Sequence, residues 1–248
     1  MPTYPLRALV LRKTKLGEAD TIVTLLAEDG RQVRAVAKGV RRTRSKIGSR
    51  VEPYAVVDLL LATGRNLEVV QEVQTISPHE AIRSDYDRVS AASVVVDFLD
   101  KVSVEGQVEP RTFPLALTTL DVMETAEPGD LRAVVLAFLV KALAMQGYRP
   151  MLDTCARCAC DASDSTVFSA EAGGVLCSEC GRITDGSMPL TCDARLALGA
   201  LLGARMADVA ALHVPRPVAD EVLRVLGVFA GYHIAARLKA LEYFAGHG

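Results

Sequence analysis

The chain has 248 residues, enough for a sizeable core shared among two or three small domains. Half of its residues are hydrophobic, 23% are charged and the formal net charge is −2, which excludes an extensively disordered or strongly polycationic chain. No internal repeat or low-complexity tract is present, and the N-terminus MPTYPLRALVLRK lacks the apolar core and cleavage site of a signal peptide. The most apolar run, Val134 to Met145, is interrupted by Lys141 and is far short of the ~20 residues a membrane span needs. A cytoplasmic protein with no membrane contact is expected.

The charge is unevenly spread. Residues 1–75 hold 13 Lys and Arg against 8 Asp and Glu, whereas residues 76–248 hold 15 against 22. Such a split points to one part that meets a polyanion and another that does not.

In chain order, the first 77 residues read as strands. Leu6–Thr14 mixes apolar and basic positions, and Glu28-Asp29-Gly30 is a tight-turn signal joining Thr21–Ala27 to Arg31–Lys38 in a hairpin. In RQVRAVAK, Val33, Ala35 and Ala37 share one face, so Arg34 and Lys38 point together from the other. VVDLLLA and LEVVQEVQTI form a second hairpin around TGRN. Five short strands fit a small barrel such as an OB-fold, and an SH3-like barrel fits the count nearly as well.

Helical periodicity begins after Pro78. One apolar face runs through residues 80–103 and another through 112–125. Asp130 is the expected N-cap of a helix from Leu131 to about Gln146, apolar on most sides and so central to a bundle. After Pro215 and Pro217 the chain reads as one long closing helix, with Gly227 and Gly231 expected at close helix contacts. The expected organisation is a barrel over residues 1–77, a helical domain over 78–152 and 191–248, and a cysteine-rich insertion over 153–190.

That insertion contains CARCAC at 155–160 and CSEC at 177–180. Two Cys-x-x-Cys knuckles 18 residues apart match a four-thiolate zinc site, in which each knuckle covers one side of a tetrahedral ion with Zn–S near ~2.3 Å. Gly173-Gly174 permits the tight turn before the second knuckle. Disulfides are disfavoured in a cytoplasmic chain, and no βαβ setting supports a redox Cys-x-x-Cys. No His lies near the motif to suggest a catalytic metal. Cys160 is surplus and can stand in for Cys155 or Cys158, while Cys192 reads as a small buried residue near a helix start. The insertion has few apolar residues of its own, so metal binding should couple to its folding.

No catalytic constellation stands out. A phosphate-cradling GxxxxGK loop, GxSxG, HExxH, GxGxxG and the deaminase pair HxE with PCxxC are all absent from the sequence. His79 and His213 sit at element edges, His233 lies on the last helix and His247 in the tail, none beside a telling nucleophile or acid. Asp97 and Asp100, beside Lys101, read as solvated surface. A protein without enzymatic chemistry is expected.

Residues 31–50 carry Arg31, Arg34, Lys38, Arg41, Arg42, Arg44, Lys46 and Arg50 and no acid. Solvated faces usually mix signs, and Arg grips phosphate bidentately, so this run reads as a nucleic-acid groove rather than a bland loop. Residues 1–76 contain only Tyr4 and Tyr54 as aromatics, so binding should rest on phosphates more than on base stacking. With about six phosphate contacts, log K against log salt should slope by roughly −4 to −5.

LRALVLRKTKLGEADTIVTLLAEDGRQVRAVAKGVRRTRSK, then YDRVSAASVVVDFL, LAFLVKALAMQGYRP, CARC and GGVLCSEC follow one another in an order that resembles the RecO family of bacterial DNA repair and recombination mediators. The similarity covers nearly the whole chain. The resemblance implies an N-terminal OB-fold and a helical bundle carrying a zinc finger. It implies a recombination mediator that binds single- and double-stranded DNA and anneals complementary strands. It also implies partnership with RecR and with the acidic C-terminal tail of single-stranded DNA-binding protein, to help load RecA. By that resemblance the DNA contacts fall on Arg31, Arg34, Lys38, Arg41, Arg42 and Arg44, and the zinc ligands are Cys155, Cys158, Cys177 and Cys180. Ala159 and the extra Cys160 depart from the family's usual Gly at that place. Arg132, Lys141 and Arg149 are candidate cations for holding the acidic tail. The competing reading is a zinc-ribbon DNA-binding regulator. Against it, the segment from Cys155 to Cys180 holds one Arg against Asp161, Asp164, Glu171 and Glu179.

Overall fold

The computed structural model describes residues 2–40 and 47–247. The chain divides into two compact units, residues 1–124 and 125–248.

The first unit is built on five strands, β1 (Thr3–Leu16), β2 (Asp20–Ala27), β3 (Gln32–Ala37), β4 (Val56–Ala62) and β5 (Glu68–Ser77). They close into a barrel in the order β1-β2-β3-β5-β4. The parallel pairing of β3 with β5, Ala35 opposite Glu68, makes this an OB-like rather than an SH3-like barrel. Period-two alternation fills the interior: Leu6, Ala8 and Val10 from β1 meet Val23 and Leu25 from β2 and Val33, Ala35 and Ala37 from β3. The β2–β3 turn depends on Gly30, whose φ of +86° lies in the left-handed region and whose α-carbon abuts the Glu109 carbonyl.

Three helices belong to the same unit: α1 (Glu80–Ser84), α2 (Tyr86–Val102) and α3 (Thr112–Thr125). Asp85 caps α2 by accepting from Arg88 N, and α2 packs on β1 and β2. This burial explains why Leu9 and Leu11, outside the barrel's interior set, are also shielded from solvent. Asp100 is not solvated surface. Its side chain is 8% exposed, and it pairs with Arg12 of β1 at 3.2 Å and with Lys101 at 3.6 Å. His79 is buried and satisfied, with Nδ1 2.7 Å from the Tyr54 carbonyl and Nε2 3.1 Å from Asp121.

The second unit is organised around α4 (Leu131–Met145), buried from Leu131 to Val140 without interruption. Asp130 does not cap it by its side chain. A 3-10 turn over Pro128–Asp130 leads into the helix, and Asp130 itself is helical in conformation. Around α4 pack α6 (Cys192–Gly203), a 3-10 segment at Met206–Leu212 and α7 (Arg216–His233). The insertion between α4 and α6 carries β6 (Val167–Ser169), β7 (Gly174–Val175), α5 (Ser178–Ile183) and β8 (Met188–Pro189), with the strands in the order β7-β6-β8.

The closing segment is two helices instead of one. The chain leaves α7 at Ile234 in an extended conformation and begins α8 (Lys239–His247) five residues later. The break lets Ile234, Leu238, Leu241 and Phe244 all become buried, which a straight continuation of an amphipathic helix would not achieve. Gly227 and Gly231 do not mark close packing: a side-chain carbon at either would meet nothing within 4 Å. They line an apolar groove shared with Val228, Leu238 and Leu241 of the same closing segment. Cys192 is exposed, not buried, because Thr191 caps α6 and the helix turns Ala194, Leu198 and Leu201 inward.

Candidate nucleic-acid interface and metal centre

Several basic side chains of the barrel are held by internal partners. Arg7 grips Asp58 across β1 and β4 with two hydrogen bonds of 2.7 and 2.8 Å, which holds the Asp58 carboxyl below its usual range. Lys13 meets Glu52 at 2.8 Å, and Arg12 meets Asp100. Arg31 turns back to Asp29 at 3.0 Å, and Arg50 donates to the Val73 carbonyl at 3.0 Å.

Arg34 and Lys38 differ. Both are exposed, and neither makes an ion pair among the described residues. The barrel interior explains their direction, because Val33, Ala35 and Ala37 point inward and leave residue 34 on the outer face. Arg41, Arg42, Arg44 and Lys46 lie outside the described residues. The eight basic positions therefore separate into two with unpaired exposed cations, two with internal partners and four of undescribed structure.

Arg65 is a cation that sequence reasoning passed over as part of a turn. It shares a cleft with Arg31, Arg34 and Asn66, which Glu68 and Glu105 also line. The parallel β3–β5 pairing brings it there, since Ala35 opposite Glu68 sets the start of β5 beside β3. No local signal in TGRN announces that neighbour.

In the second unit, Cys155, Cys158, Cys177 and Cys180 come together with all four Sγ atoms within 4.8 Å of one another. Each knuckle has its own local cause. Ala159 N donates to the Cys155 carbonyl and Cys155 N to the Cys160 carbonyl, both at 2.8 Å, which folds the first knuckle back on itself. Ala159 has a φ of +60°, the left-handed region where Gly is favoured. The second knuckle follows Gly174, whose α-carbon is pressed against Met151 so closely that a side-chain carbon would fall 2.3 Å from its carbonyl oxygen.

The donor set fits a soft tetrahedral cation. Thiolates bonded at ~2.3 Å to a tetrahedral zinc ion lie about 3.8 Å apart along each edge. The Sγ atoms of Cys158 and Cys177 are 3.8 Å apart. The thiols also cannot all ionise without a counter-charge. Burial pushes Cys155 up, but backbone N–H groups of Cys177, Cys158 and Arg157 facing its Sγ outweigh this and hold it at about 6. Burial and the neighbouring cysteines push Cys180 up to about 12. A bound cation would remove that conflict. Cys160 stands outside the mutual set of four, 3.3 Å from Cys158.

Of the cations considered for an acidic tail, Arg132 pairs internally with Asp220 at 3.0 Å and Lys141 donates to the Leu202 carbonyl at 2.7 Å. Among the described residues no helix is long and apolar enough to cross a membrane.

Comparison with known proteins agrees with this architecture. Residues 1–79 match the family model described as Recombination protein O N terminal, and residues 83–242 match Recombination protein O C terminal. DNA repair protein RecO of Nocardioides sp. is 38% identical across 97% of this chain and 98% of the relative. Its namesake in Cutibacterium acnes is 42% identical across 73% of this chain and 75% of the relative. That of Bifidobacterium longum is 38% identical over 71% and 74%. With an OB-like barrel, a helical second unit and a four-cysteine cluster that can hold a metal ion, this chain belongs to the RecO family of DNA repair and recombination proteins.

Proposed function

We propose that this protein is a recombination mediator. It binds single- and double-stranded DNA through the barrel, anneals complementary strands, and helps load RecA onto DNA covered by single-stranded DNA-binding protein. The observation that carries this reading is the exposed pair Arg34 and Lys38, which make no ion pair among the described residues and lead directly into the basic segment 41–46, on a barrel whose Arg7, Arg12, Lys13 and Arg31 are each ion-paired. Annealing needs no nucleophile or nucleotide. Two strands repel through their phosphates, and a cationic surface that holds both lowers that barrier. Sparse aromatics leave base edges free to pair.

The four cysteines hold one zinc ion, which has a structural role: it clamps an insertion with little core of its own. When bound, the ion supplies charge compensation for thiolates and takes no part in strand pairing. RecR and the acidic tail of single-stranded DNA-binding protein are the protein partners, and the site of action is the nucleoid. The apolar groove beside Gly227 and Gly231 suits the apolar end of such a tail, while the arginines at its edge have internal partners, Arg237 with Glu242 at 2.6 Å and Arg224 with the Pro189 carbonyl at 3.1 Å.

The test is annealing of arbitrary complementary oligonucleotides by the wild type and by a variant with Arg34, Lys38, Arg41, Arg42 and Arg44 all changed to Ala, with and without single-stranded DNA-binding protein. Loss of annealing in a folded variant is expected. Unchanged annealing would overturn the site and the mechanism together.

A further inference from the structure

Cys160 is a fifth thiol placed where a four-thiolate centre has no use for it. Its Sγ is 3.3 Å from that of Cys158, shorter than the edge of about 3.8 Å that two ligands of one tetrahedral zinc ion keep. Both side chains are exposed, whereas Cys155 and Cys180 are buried. The left-handed backbone at Ala159 and the hydrogen bonds that close the knuckle hold residues 158 and 160 in this arrangement. A disulfide needs its sulfurs at about 2.05 Å, so bond formation requires a movement of little more than an ångström.

We propose that Cys158 and Cys160 are a peroxide-sensitive pair, and that their disulfide withdraws one ligand from the metal centre. This rests on the reading that the four cysteines hold zinc. Cys158 and Cys160 are both solvent-exposed, but Cys160 is not one of the four clustered thiols and keeps its lone pairs free of the metal, so it is the Cys160 sulfur that meets peroxide first. Its sulfur attacks the O–O bond, becomes a sulfenic acid, and one water leaves. Cys158 then attacks the Cys160 sulfur. The S–S bond forms, the S–O bond breaks, and a second water leaves, its proton coming from the thiol or, where Cys158 is a thiolate, from solvent. Two thiols have then lost two electrons to one peroxide. The centre keeps three sulfurs, and a dithiol reductant restores the fourth.

The full chain, purified with zinc, would be titrated with hydrogen peroxide. Zinc release would be followed with a chromophoric chelator, and alkylated peptides would be mapped by mass spectrometry. Zinc release at least about tenfold faster than in Cys160→Ala is expected, with a disulfide joining Cys158 to Cys160 and re-uptake of zinc after reduction. Equal release rates in the wild type and Cys160→Ala, or a disulfide joining Cys158 to Cys177 instead, would overturn the proposal. A protein that carries no zinc when freshly purified would instead refute the metal reading, and peptide mapping would still decide whether Cys160 is the partner of Cys158.

Discussion

The Sγ atoms of Cys158 and Cys177 lie 3.8 Å apart although 18 residues separate them in the chain. That spacing matches the edge of a thiolate tetrahedron around zinc, and a backbone hydrogen bond of 2.8 Å from Ala156 N to the Val175 carbonyl ties the two knuckles together. Removing one corner should therefore disable the centre without any change elsewhere in the sequence. In Cys177→Ser, metal content by elemental analysis should fall from one ion per chain to near zero. Its thermal unfolding should shift to lower temperature, and chelation should bring the wild type towards the same state.

Arg34 and Lys38 are exposed and make no ion pair among the described residues, whereas Arg7 is committed to Asp58. Changing Arg34 and Lys38 together to Ala should weaken DNA binding for all sequences alike and flatten the slope of log K against log salt by about 1 to 2. Arg7→Ala should leave that slope unchanged. A fluorescence anisotropy titration across a salt series measures both.

Ala159 occupies left-handed backbone at a φ of +60°. An L side chain there is strained by ~1–2 kcal/mol, of which glycine's greater unfolded-state freedom returns ~0.5–1 kcal/mol. Ala159→Gly should therefore stabilise the metal-bound protein by up to about 1 kcal/mol in denaturant unfolding, with the same metal stoichiometry.

Arg132 is buried, pairs with Asp220 and lies 5.3 Å from the centre of the Phe244 ring. Removing its counter-charge by Asp220→Ala leaves the guanidinium uncompensated and should cost about 2 kcal/mol, the partial exposure of Asp220 keeping this below the value for a fully buried pair. Arg132→Met, which removes charge and keeps volume, should cost less. The double variant distinguishes coupling from simple addition.

The Arg7 guanidinium lowers the Asp58 carboxyl in the folded state. A carboxyl whose folded value lies below its unfolded value contributes stability above the unfolded value and loses it as pH falls through the folded one. Chemical unfolding of the wild type should therefore show a modest stability loss on acidification below the ordinary carboxylate range. Asp58→Asn should lack that contribution at neutral pH and show a shallower acid decline.

Much of the molecule was legible from local pattern. Alternation in RQVRAVAK determined that Arg34 faces outward, because a strand has only two faces and three small apolar residues claim one of them. The spacing of the knuckles identified the four thiols that cluster, because each Cys-x-x-Cys turn is a local fold. The long apolar run around Val134 announced the buried central helix.

What the sequence alone could not determine depends on partners distant in the chain. Arg50 reads as a cation free for DNA, yet it donates to the Val73 carbonyl 23 residues further on, and Asp100 of α2 claims Arg12 of β1. Arg65 comes beside Arg31 and Arg34 through the parallel β3–β5 pairing, in a cleft that Glu68 and Glu105 also line. The closing helix breaks at Ile234 because two apolar faces can be buried only if α8 leaves the line of α7, and helical periodicity is the same on either side of such a bend. The sequence by itself determined the barrel strands, the buried central helix and which side chains carry charge or thiol. The tertiary structure decided which of those charges have internal partners, and that Cys160 stands beside the four clustered thiols rather than among them. Pairing and register are properties of contacts between segments, and no single segment encodes them.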